Sequence, residues 1–107
     1  MTTATIISTT AVQEGAPLRV SDLNSRPYTQ NKTFQAIVKG TGSVSATITI
    51  DVSNNGVDWL KDVITFTLAG TTMASEGIAS EEPWAYYRAR VTAISGTGAT
   101  ASLIVGV

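Results

Sequence analysis

Asp51, Ser53, Asn55, Gly56 and Asp62 follow one another at the spacing with which oxygen ligands and a turning glycine surround calcium in a helix-flanked loop. The flanks here alternate like strands, and the closing residue is Asp where such a loop usually ends in a bidentate Glu. The window therefore reads as an Asx-rich turn, and no metal ligand is expected. Glu81 and Glu82 are adjacent, so on a strand they point to opposite faces and cannot share a substrate as an acid/base pair. Asn31-Lys32-Thr33 matches the glycosylation sequon, which carries no weight without a secretion signal. The chain has no His and no Cys, which removes imidazole bases, thiol nucleophiles, disulfides and the usual zinc sites. We expect no catalytic residue, no cofactor and no enzymatic activity.

Aromatic and arginine side chains offer more. Along the run from Trp84 to Ile94, Ala85, Tyr87, Ala89, Val91 and Ala93 share one face and read as core. Trp84, Tyr86, Arg88 and Arg90 share the other, setting two guanidinium groups beside two large rings, a composition that suits a protein contact. Trp59, Trp84 and Tyr28 could instead serve as stacking platforms for a sugar.

These residues need a β framework to position them. Val44 to Val52 alternates apolar residues with Ser, Thr and Asp, the pattern of a half-buried strand. Phe34, Ala36 and Val38 precede it, and Lys39-Gly40-Thr41-Gly42-Ser43 looks like a tight turn, so 33–52 reads as a hairpin. Asn55-Gly56 predicts a type I′ turn into a strand from about Val57 that carries Trp59. Ile64, Phe66 and Leu68 share a face until Ala69-Gly70-Thr71-Thr72 ends the run. Pro83 opens the next strand, Ser95-Gly96-Thr97-Gly98-Ala99 turns the chain, and Ala99, Ala101, Leu103, Val105 and Val107 complete one last face. Ile48, Ile50, Phe66 and Val91 are expected to be core. No window sustains a helical apolar period. The reading is all-β, a two-sheet β-sandwich or jelly roll of six to eight short strands. One domain spans 1–107: an extended N-terminal arm over 1–15, an irregular lead-in over 16–32, and the sandwich core over 33–107. The arm, with Ile6 and Ile7 as its apolar contacts, could strap a neighbouring subunit.

Composition narrows the partners. The 107 residues carry seven basic and eight acidic side chains for a net charge of -1, so no basic field exists to hold nucleic acid or an anionic membrane. No apolar run reaches the length of a membrane span, and the first residues lack the pattern of a signal peptide. Stability must come from packing, from association, or from both.

The stretches Ile50-Asp51-Val52-Ser53-Asn54-Asn55-Gly56-Val57-Asp58-Trp59, Ala79 to Val91 with its Pro83-Trp84 and Arg88-Ala89-Arg90, and the Ser95-to-Thr100 turn resemble small virion proteins of tailed bacteriophages. The resemblance covers about 33–107 and comes nearest to head decoration, or cement, proteins. It implies a structural protein that binds the assembled head and stabilises it, with the major capsid protein as partner. It also implies a homo-oligomer, dimer or trimer, on the capsid surface after synthesis in the host cytoplasm. Similar stretches occur in tail and fibre modules, so the alternative is a carbohydrate- or receptor-binding module of a phage tail or fibre. No catalytic residue comes with either.

Overall fold

The computed structural model describes residues 3–20 and 31–107. Six strands account for most of them: β1 (Thr3–Thr9), β2 (Gln13–Glu14), β3 (Leu18–Arg19), β4 (Lys32–Ser53), β5 (Leu60–Ser80) and β6 (Tyr86–Gly106). Hydrogen bonds join all six into one antiparallel sheet in the order β1-β6-β4-β5, with β2 and β3 also lying along β6. The all-β expectation holds, but one sheet stands where two were expected, and three of its strands run 21 or 22 residues.

A straight strand of that length would measure about 70 Å, whereas the longest dimension of the molecule is 43 Å. The strands must bend, and they bend where the glycines are. The register between β4 and β5 slips between Lys39 and Ser43, opposite Thr71 to Met73. The β4–β6 register slips over the same part of β4, opposite Ser95 to Thr100. The segments read as turns at 39–43, 69–72 and 95–99 are therefore irregularities inside continuous strands, and 33–52 is one strand, not a hairpin. Alternation alone cannot separate the two, because a turn and a bulge both ask for glycine at positive φ. Here Gly42, Gly96 and Gly98 have φ of 71°, 124° and 62°. A Cβ on Gly40 would lie 2.9 Å from the Thr97 carbonyl oxygen, and one on Gly96 2.8 Å from that of Ser43, so the bends of β4 and β6 interlock.

Folding at this line brings the two ends of the sheet face to face. Phe34 is paired with Val105 and Tyr87 with Val52, far apart along the sheet, yet their rings approach to 5.3 Å. Between the halves lies one core that includes Phe34, Val38, Ile48, Ile50, Phe66, Leu68, Val91 and Leu103, among them all four of the expected core residues. Lys32 reaches into its margin, donating to the Glu82 carbonyl at 2.7 Å with its ammonium 5.1 Å from the Tyr87 ring centre. Burial lowers its pKa, and nearby Glu82 opposes that. Burial, with Glu82 adding to it, pushes the Tyr87 phenol up to about 12.

The N-terminal residues join this sheet. Thr3–Thr9 pair antiparallel with the last turn-free stretch of β6, Ala101 to Gly106, and Ile7 is only 5% exposed. Backbone bonds from Gly15 to Ala89 and from Val20 to Ala85 carry the chain along β6. What the sequence suggested as an arm is thus, over the described residues, an edge strand of the chain's own sheet. Part of the 16–32 lead-in, and Tyr28 with it, lies outside the described residues.

Candidate functional site

In the second half of β4 the even positions, Ile48, Ile50 and Val52, face the core. The odd positions Thr49, Asp51 and Ser53 face the other way and are equally buried. Their cover comes from the outward face of β6 and from the 54–62 connection. Asp51 sits directly opposite Arg88 across the β4–β6 ladder, and Arg90 lies opposite Thr49, so both arginines reach one carboxylate. Arg88 Nη2 donates to Asp51 Oδ2 at 2.8 Å; Arg90 donates from Nε to the same oxygen at 2.7 Å and from Nη2 to Oδ1 at 3.0 Å. The Asp62 backbone N–H donates to Oδ1 at 3.0 Å. Burial alone would raise the Asp51 pKa, but these donors, Arg90 foremost, outweigh it and hold the carboxyl below its ordinary range. The Arg90 pKa is raised in turn, chiefly by its hydrogen bonds to Asp51.

Two features of the 54–62 connection complete the cluster. The β4–β5 register slips between Ile50/Ile64 and Val52/Leu60, and this bulge, with Asp62 at φ 58°, turns the Asp62 carboxylate back onto Arg90 Nη2 at 2.6 Å. Bulges commonly re-aim a side chain in this way. Trp59 lays its ring 4.4 Å from the Arg88 guanidinium carbon, a cation–π stack. The turn itself is held by side chains: Asn55 Oδ1 accepts from the backbone N–H groups of Val57 and Asp58, and Ser53 Oγ accepts from that of Gly56. Of its central pair only Gly56 has positive φ, and β5 begins at Leu60. The expected two-residue type I′ hairpin is replaced by a longer Asx-type loop. The oxygens that resembled a calcium set are occupied by N–H donors.

The residues suggested as an interface divide. Arg88 and Arg90 come together, but their side chains are only 11% and 22% exposed. What the cluster presents outward is carboxylate: Glu14, on the other side of Arg88, and Asp62 are 57% and 63% exposed. Tyr86 lies over the turn, within 3.3 Å of where a Cβ on Gly56 would stand. Trp84 is separate, with Nε1 donating to Glu82 Oε2 at 2.8 Å. Ile6 packs half-buried beside the core and Ile7 is part of it. Asp51 and Glu14 were not legible as partners of the arginines, because only the pairing of β2 and β4 on either side of β6 places them there.

Chemically, the cluster is a structural anchor in which two arginines meet three carboxylates: it pins the β4–β5 connection and the N-terminal segment to the outer face of the sheet. No family model matches the sequence, and no curated protein does. The fold is similar to that in the crystal structure of the SPBc2 prophage-derived protein YomS, which superposes with a TM-score of 0.58 over 97% of this chain and 89% of that one, at 13% sequence identity.

Proposed function

We propose that this chain is a structural virion protein of a tailed bacteriophage, a decoration protein that binds the assembled head and stabilises it. Its partner is the major capsid protein, its place the outer capsid surface, and it acts by binding without a catalytic step. The observation that carries the reading is the likeness of fold, over nearly the full length of both chains, to a prophage-derived protein. The sequence resemblance to virion β-sandwich proteins points the same way. A folded-over sheet whose buried charges are paired suits such a role, since a module that binds the assembled shell more tightly than free subunits adds its binding free energy to the lattice. Many identical copies on one shell multiply that gain.

The test is to mix purified protein with undecorated heads and with unassembled capsid subunits of the phage that encodes it. Saturable co-sedimentation with heads, with a rise in the temperature at which they rupture, is expected. Binding to neither species overturns the reading. Glycan binding that is lost in Trp84→Ala without loss of fold would move the assignment to a sugar-binding module of a tail or fibre.

A further inference from the structure

The two flanks of the sheet are finished differently. On the β6 flank the N-terminal segment supplies β1 against one half and β2 and β3 against the other. On the opposite flank β5 is the last strand in both halves, and among the described residues nothing pairs with its outer edge. An open edge is a template for another strand, and monomeric proteins blunt it with short strands, prolines, charges or bulges. β5 has irregularities at Asp62 and Thr72, but it runs 21 residues, contains no proline, and carries no charge between Asp62 and Glu76. Its second half is also uncovered on the core side. Ile78 pairs with buried Phe34 and so faces the core, yet it is 44% exposed.

We propose that β5 is a self-association seam, across which a second copy adds its own β5 antiparallel about a two-fold axis. The bend limits the register and the charges choose within it. Symmetric antiparallel strands must set each residue opposite one that faces the same side of the sheet, so the axis passes through a residue that meets itself. Both halves of β5 stay paired only where bend meets bend, with the axis at Thr71 or Thr72, and Thr71 is the choice that avoids setting Asp62 against Glu82. Even-numbered residues face inward on both sides of the bend, as Phe66 and Leu68 do before it and Ile78 after it. In this register Ile64 stands opposite Ile78 of the second copy, Leu68 opposite its Ala74, and Met73, itself 53% exposed, opposite its Ala69. At each end Lys61 comes opposite Glu81, one residue past the end of the second copy's β5, while Phe66 comes opposite its Glu76, and no two acids meet. The seam thus covers the exposed isoleucine and pairs opposite charges, which is the reason for choosing a second copy over a foreign strand.

Self-association across β5 does not depend on head attachment. Light scattering of the purified protein at micromolar concentration should give twice the chain mass. Thr71→Lys sets two ammonium groups face to face on an exposed position and should give a folded monomer with the wild-type far-UV circular dichroism spectrum, its melting temperature lowered only by the lost association and no longer dependent on concentration. Lys61→Glu should raise the dimer dissociation constant by about tenfold through two like-charge contacts, and adding Glu81→Lys should restore it. The chain lacks cysteine, so Thr71→Cys should form a disulfide-linked dimer on mild oxidation while Thr5→Cys, on the β1 edge, should not. A monomeric wild type, or a dimer indifferent to Thr71→Lys and to the charge swap, overturns the proposal.

Discussion

Asp51 shows how a single buried charge can organise a sheet face. Its side chain is fully inaccessible and shared by two arginines, so truncating it leaves two largely buried guanidinium groups with only the exposed carboxylates of Glu14 and Asp62 as partners. Asp51→Ala should cost about 3–5 kcal/mol, measured by denaturant unfolding. The folded-state pKa lies below the ordinary carboxylate value of 3.8, so its stabilisation is complete above that value and is lost as pH falls through the depressed one. Wild-type stability should therefore drop in acid more steeply than that of Asp51→Asn, in a comparison of melting temperature against pH. Thr49, two residues away, has the opposite character. Its hydroxyl is buried and has no hydrogen-bond partner among the described residues, so Thr49→Val should be neutral or raise stability by up to about 1 kcal/mol. A loss above that size would show that the hydroxyl is bonded in solution.

At the scale of the strand, the bend concentrates the conformational cost. Thr72 has φ 63°, a region in which a β-branched residue is strained by roughly 1–2 kcal/mol. Thr72→Gly should relieve part of this and raise stability by about 1 kcal/mol, after allowing for the greater freedom of glycine in the unfolded chain. Gly40→Ala should act oppositely. The added methyl would lie 2.8 Å from Val44 Cγ1 as well as against the Thr97 carbonyl, and overpacking of this kind costs roughly 1–3 kcal/mol. Thermal melts of the two variants should move apart in sign. If both fall together, the bend is not built as described.

For the molecule as a whole, the N-terminal strand decides how the fold is closed. A strap to a neighbour could be deleted with the fold intact, whereas β1 contributes Ile7 and Thr9 to the buried interior and covers the β6 edge. Deleting residues 1–9 should lower the melting temperature markedly and expose that edge to aggregation. An unchanged melt would restore the strap. The sequence by itself determined the strand class and most of the faces: strict alternation through Ile48 and Ile50, and through Tyr87, Ala89 and Val91, predicted the buried side correctly, because period-two patterning is a local property of the backbone, whereas Ala93, read as core, is exposed and Ile94 packs inward because the β4–β6 register slips between Thr47 and Ile48. It also placed the glycines where the chain changes direction. Whether a glycine pair turns the chain back or only bends it depends on which strand lies alongside. Only the tertiary structure decided that, by setting the irregularities of β4, β5 and β6 on one line so that a single sheet folds over its own core. The same holds for Asp51 with Arg88 and Arg90: 37 and 39 residues separate them in the chain, and a charge finds its partner through the ladder that pairs the strands, which no local pattern encodes.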